Sequence, residues 1–312
     1  MGIAGNLLIL VSNFMEWRRT KDITPYVIIL SSIGISNILL QLMTLANQFC
    51  IQIQKDFQEI VILSFIAIMT SLALTSLLFS LCLCFFYCVK IIQINNTLFL
   101  KLKKEIPRTI PLLLTLSVLV SLSVGMFSYW DLYQDHVSNA NVSSTEPSVD
   151  LNIKSKCQCF FVLLLALSSV ALTIFFSLSL AIIISLYRHM RKMKNNRTTE
   201  ACKAGLDVHI SAAKTLTLLL LLYISFFVEL CVLLDISETY GHWYFVLCYI
   251  LASAFPTLSS LVLIMGNSKL KNSVKIILQI LCAGCKKQSN HKDKTVRSSL
   301  HPDIRTVTGN IE

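Results

Sequence analysis

Charge and glycine are both scarce in this chain. Of its 312 residues 14% are charged and 9 are glycine, while 54% are hydrophobic and the mean hydropathy is +0.68. A soluble domain of this length needs more polar surface and more turn residues, so that class is excluded. Catalytic signatures are missing too. The sequence has no G-x-S-x-G, no Walker loop, no H-E-x-x-H and no paired carboxylate motif inside an apolar block. The six histidines, His136, His189, His209, His242, His291 and His301, are scattered and make no metal-like pair on one helix face. An enzyme reading therefore has little support, and no metal or cofactor is expected. Internal repeats and the matched broken helices of many transporters are absent as well.

What is present is a series of seven apolar blocks, separated by short segments rich in Lys, Arg, Asn and Ser. Crossing a hydrocarbon core of about 30 Å takes about 20 residues, and six blocks reach that length. They run Ile23–Ala46, Ile60–Ile92, Thr109–Tyr129, Cys159–Tyr187, Ile210–Ile236 and Trp243–Met265. Lipid offers the backbone no hydrogen-bond partners, so each block must be a helix. The fold class expected is an all-α, integral membrane bundle of seven helices. The first block, Met1–Trp17, is short: about 15 residues give about 23 Å of helix. It reads either as an N-terminally truncated span, the preferred reading, or as a native short helix that thins the bilayer. No basic n-region or cleavage site marks a signal peptide.

A net charge of +10 raises the possibility of a nucleic-acid partner, but the distribution of the charge argues for membrane topology instead. With the blocks threaded back and forth, 24 of the 27 basic residues fall on one side. They include Arg18, Arg19, Lys90, Lys101, Arg108, Arg188, Arg191, Lys203, Lys214, Lys269 and Lys275. Only Lys55, Lys154 and Lys156 fall on the other, together with acids such as Asp56, Glu59, Asp131 and Asp235. The positive-inside bias places the amino terminus outside the cell membrane and the carboxyl terminus in the cytoplasm.

That topology sorts the remaining features. Asn141-Val142-Ser143 lies in the longest outer segment and is a glycosylation acceptor. Cys50, Cys157 and Cys159 sit at outer ends, where Cys50 could pair with either of the others. Cys282 and Cys285, on the inner side, are candidates for palmitoylation. Leu270, Val274, Ile277, Leu278 and Leu281 recur at helical spacing beside Lys269, Lys271 and Lys275, which describes a short amphipathic helix on the inner leaflet. Residues 1–281 then form one domain, and 282–312 a cytoplasmic, disordered tail.

Four strings at the inner ends of the blocks resemble one known family. Leu83-x-x-Phe86-Tyr87-x-x-Lys90-Ile91 is followed by Phe99-Leu100-x-Leu102-Lys103. His209-x-x-Ala212-x-Lys214-Thr215 leads into Leu220-Leu221-Leu222-Tyr223, and Gly266-Asn267-Ser268-Lys269-Leu270-Lys271 follows the last block. With Gly5-Asn6 and Glu16-Trp17 these are similar to the strings of the bitter taste (type 2 taste) receptors, at their order and spacing, from residue 2 to residue 271. The resemblance implies a G protein-coupled receptor, with small-molecule bitter agonists outside and a heterotrimeric, gustducin-like G protein inside. Tyr87, Lys90, His189, Met193, His209 and Lys214 would lie at the G-protein crevice. Lys90 and Lys214 can reach the headgroup layer and meet anionic membrane lipid, and Tyr87 and Tyr223 read as interfacial aromatics.

The ligand pocket implied by the resemblance takes Asn47, Met69, Ala73, Phe226 and Tyr249, with Met69, Phe226 and Ser76 shaping its wall. Glu229 stands one turn outward from Phe226, and an acid at that depth in a membrane helix turns inward, toward a polar or cationic ligand group or a hydrogen-bond partner. The sequence departs from the family at three core positions. Asn37 replaces an arginine, Ser259-Ser260 replaces His-Ser while Pro256 is kept, and Ala171 replaces a proline. Two rivals remain: a vomeronasal type 1-like pheromone receptor, whose inner strings differ, and a polytopic transporter, which needs paired intramembrane charges.

Overall fold

The turn between the first two apolar blocks shows how local chemistry sets the helix ends. The first helix closes on Lys21, which takes a left-handed φ of 56° and donates its N–H to Trp17 O at 2.8 Å, an αL cap. Three residues on, Thr24 Oγ1 accepts from Val27 N at 3.4 Å and Pro25 occupies the first turn, where its missing N–H costs nothing. The computed structural model describes residues 2–22, 24–53, 59–92, 97–140, 159–195, 200–235 and 242–267, with 270–272, 274–276 and 279 beyond them.

Among the described residues the elements are α1 (Gly2–Thr20), α2 (Pro25–Ile53), α3 (Glu59–Ile91), α4 (Thr97–Ala140), α5 (Cys159–Asn195), α6 (Glu200–Asp235) and α7 (His242–Gly266). Five of them contain runs long and apolar enough to cross a membrane, and α7 contributes a shorter apolar run, Ser253–Gly266. α1 extends over 19 residues, about 28 Å, but Arg18, Arg19 and Thr20 form its last turn, so its apolar part is shorter. After α7, Leu270 and Val274 are buried while Lys271 and Lys275 are exposed, as an amphipathic surface helix requires.

Three helices run past their apolar blocks. α4 begins at Thr97 rather than near Thr109, α5 continues to Asn195, and α6 starts at Glu200. The segment 188–209, which lacks apolar periodicity, is therefore helical on both sides of residues 196–199. Lys, Arg, Met, Ala and Glu are good helix formers, and hydropathy registers apolarity alone. α4 holds Pro107 and Pro111 inside it, both exposed, so their rings face away from the neighbouring helices.

α3 is the central helix. Two-thirds of its apolar window (67%) is buried, against 33% for α4 and 28% for α5, and it packs on α2, α4, α5 and α6. α3 and α4 meet closely at Gly125, where an added Cβ would collide with Ser71 Oγ and the Ala67 carbonyl. The opposite surfaces are apolar and exposed: Leu112, Leu116, Leu119 and Met126 on α4, Val170, Ile174 and Phe176 on α5. Such a surface is stable against lipid, not water. Hydroxyls on it are internally satisfied, as where Thr115 donates to Pro111 O at 2.9 Å and Thr173 to Ser169 O at 2.8 Å.

Contacts fix which helix ends lie together. Tyr26 at the start of α2, Tyr87 near the end of α3, Ser211 in α6 and Gly266–Asn267 at the end of α7 converge at one end of the bundle. This basic end carries Lys90, Lys214 and Lys271. Residues such as Asn47 and Phe226 lie toward the opposite end.

Candidate functional site

A chain of buried hydrogen bonds crosses the middle of the bundle. Asn6 of α1 donates through Nδ2 to Gly2 O at 3.0 Å and to Pro256 O of α7 at 3.3 Å. Its Oδ1 accepts from Asn37 Nδ2 of α2 at 3.4 Å, and the same Nδ2 reaches Ser259 Oγ of α7 at 3.5 Å. Asn37 Oδ1 in turn accepts from Ser76 Oγ of α3 at 2.8 Å. At the same residue, Tyr223 of α6 donates its hydroxyl proton to the backbone carbonyl, Ser76 O, at 2.9 Å. A phenol has one proton to give, so at the 2.8 Å contact with Ser80 it is Ser80 Oγ that donates. Five helices are thereby tied by a network containing no ionisable carboxylate or cation. Asn37 and Ser259, two of the positions where the sequence departs from the family strings, face each other in it across 222 residues.

Tyr223 lies in the core of the bundle and not at the membrane interface expected from the sequence. It is 1% exposed, and its ring lies 5.9 Å from Phe175 of α5 and 4.9 Å edge-on to Phe255 of α7. The reason is its register: Leu216, Leu219 and Tyr223 share the inward stripe of α6, each at 1% exposure or less. Phe226 extends the aromatic row from the other side of Phe255, at 5.4 Å.

Toward the far end, Asn47 of α2 is 7% exposed, and its Oδ1 has no hydrogen-bond partner among the described residues. Gln41 is half satisfied: Nε2 donates to Thr257 Oγ1 at 3.2 Å, whereas Oε1 has no partner among the described residues. Met69 and Ala73 lie one turn apart on α3, both half-buried. Phe226 is placed against α7, and no described contact joins it to Asn47. The side chains of Glu229 and Tyr249 lie outside the described residues, as do Asn141, Cys157 and the side chain of Cys159.

At the basic end, Tyr26 receives a hydrogen bond from Asn267 Nδ2 at 2.6 Å and packs edge-on to Tyr87 at 5.9 Å. Phe86 completes the cluster, and Lys90 Nζ sits 5.6 Å from its ring centroid, a cation–π contact. Asn267 also caps the following helix, its Oδ1 accepting from Leu270 N at 3.4 Å. The glycine before it is required by packing, because a Cβ at Gly266 would collide with Thr215 of α6. Ser211 Oγ donates to Gly266 O at 2.7 Å, which ties α6 to the same junction. Lys214 is exposed on α6 beside α5, apart from the Tyr26–Tyr87 cluster. The side chains of His189, Met193 and His209 lie outside the described residues. Tyr26 was not singled out from the sequence; an aromatic directly after a proline at a span's start was the signal available.

Comparison with known proteins identifies the family. The model of the taste receptor protein family (TAS2R) matches residues 1–282. Human taste receptor type 2 member 2 is 30% identical over 289 residues, covering 89% of this chain and 91% of that protein. The chicken (Gallus gallus) taste receptor type 2 member 40 is 29% identical over 285 residues, 89% and 90% of the two chains. Taste receptor type 2 member 39 of Macaca mulatta is 31% identical over 287 residues, 88% and 82%. Joined to a helical bundle whose outer surface is apolar, these matches make this chain a multi-pass membrane protein of the TAS2R taste receptor family.

Proposed function

We propose that this chain is a bitter taste receptor that takes a small-molecule agonist at the far end of the bundle and activates a heterotrimeric, gustducin-like G protein at the basic end. The observation that carries the reading is the taste receptor match over residues 1–282, which spans all seven helices. The excess of Lys and Arg at one end supports a cytoplasmic basic end and an extracellular amino terminus. Residues 1–281 act as the receptor domain and 282–312 as its cytoplasmic tail, and Asn141 carries the outer glycan.

The agonist site draws on Asn47, Met69, Ala73, Phe226, Glu229 and Tyr249. Asn47 is its best-supported member, because a buried carboxamide oxygen without a partner costs free energy until a donor arrives. An agonist acts by its differential affinity for two packings of the helices. The row Phe226–Phe255–Tyr223 supports a route by which a ligand pressing on Phe226 loads the Tyr223–Ser76 hydrogen bond. Tyr87, Lys90, His189, Met193, His209 and Lys214 serve the G-protein contact, and basic side chains there complement an acidic partner. Calcium release in cells co-expressing a taste-type G protein is the test. The expected result is a concentration-dependent response to at least one member of a broad bitter panel; silence across the panel from a receptor labelled at the cell surface contradicts the proposal.

A further inference from the structure

The basic ends of α5 and α6 part to leave an apolar groove of about 580 Å³. Ile183, Tyr187 and Met190 of α5 face Ile210, Lys214 and Leu218 of α6 across it. On each helix these positions are spaced three or four residues apart, so each set forms one stripe. The volume falls within the range of about 300–1,000 Å³ typical of small-molecule sites. Buried Leu186 and Ala213 close the floor toward the bundle interior. The mouth opens sideways: Ile183, Tyr187 and Leu218 are exposed, and exposed Leu180 and Leu221 continue the same surfaces away from the basic end. This is the surface that acyl chains bathe.

One cation stands in the lining. Lys214 is exposed, and no carboxylate pairs with it among the described residues. Arg191, one turn beyond Tyr187 on α5, is exposed as well. The groove offers little else that is polar: Thr217 already donates to Ala213 O at 2.9 Å, which leaves the Tyr187 phenol. An extended polypeptide laid there would leave its backbone groups unpaired, and only a helix would pair its own. An acyl chain has none to pair.

We propose that the groove binds an anionic phospholipid, with an acyl chain between α5 and α6 and the phosphate held by Lys214 and Arg191. Assigning the lipid to the cytoplasmic leaflet rests on the orientation proposed above; binding itself does not.

The test uses the full chain in detergent micelles, titrated with phosphatidylserine or phosphatidylcholine, with retained lipid counted by native mass spectrometry. The readout needs neither agonist nor G protein, so it stands or fails apart from the receptor reading. Phosphatidylserine is expected to be retained in preference to phosphatidylcholine. Lys214→Gln weakens that retention about fivefold, as expected for one cation at an anionic headgroup, and Lys214→Arg preserves it. Leu218→Trp, which fills the groove, expels the lipid, and glycerophosphoserine without acyl chains fails to displace it. Equal retention of the two lipids by the natural chain, or equal retention of phosphatidylserine by Lys214→Gln, overturns the proposal. So does a photo-cross-linker at position 218 that captures polypeptide and not lipid.

Discussion

The middle of the bundle and its far end treat buried polar groups differently. In the middle, Asn6, Asn37, Ser76 and Tyr223 spend their donors and acceptors on one another, and the result ties α1, α2, α3, α6 and α7 together. Toward the far end, Asn47 Oδ1 and Gln41 Oε1 are buried with no partner among the described residues. Burying a polar atom without a partner costs free energy that a structural role does not return. A paired network therefore reads as architecture, and an amide oxygen with no partner among the described residues, beside a proposed agonist site, reads as a place held for a ligand. Ser12 Oγ, toward the basic end, is an exception: it too has no partner among the described residues.

The largest effect separating the two regions is expected at Tyr223. Tyr223→Ala opens a cavity between Phe175 and Phe255 and strands Ser80, so the purified receptor should lose about 3–5 kcal/mol of stability by thermal denaturation. Tyr223→Phe, which keeps the ring, should lose about 1–2 kcal/mol. Asn37→Leu removes the hub and leaves Ser76 Oγ, Ser259 Oγ and Asn6 Oδ1 to find other partners, with an expected loss of about 1–3 kcal/mol in the same assay. Asn47→Leu is expected to change stability by less than about 1 kcal/mol, while agonist potency in the calcium assay falls about tenfold, or about 1.4 kcal/mol. Lys90→Gln loses only an exposed cation–π contact, about 0.5–1 kcal/mol, and marks the lower limit of the series.

The helices and their order were legible because lipid enforces length and apolarity on every span. The junction after α7 was legible as a string, and the structure supplies its physical content: Gly266 for close packing on Thr215, Asn267 as the cap and as the donor to Tyr26. Tyr223 was misplaced because an aromatic near a run of leucines looks alike on either face of a helix; only the register of Leu216 and Leu219 against α3 and α7 decides it. Asn37 and Ser259 read as separate departures, since nothing in a single sequence signals that two positions 222 apart share a hydrogen bond. The extensions of α4, α5 and α6 beyond the apolar blocks escaped for a different reason. Basic helix formers carry no hydropathy signal, and the helices there continue on propensity and packing.

The central claim is that the middle of the bundle holds the fold while the far end holds the ligand, and two substitutions measured side by side test it. Asn37→Leu and Asn47→Leu are each assayed for melting temperature without agonist and for agonist potency in the calcium assay. Asn37→Leu should lower the melting temperature, whereas Asn47→Leu should leave it in place and weaken the response about tenfold. An Asn47→Leu receptor that melts early, or that responds to every agonist like the natural chain, would contradict the claim.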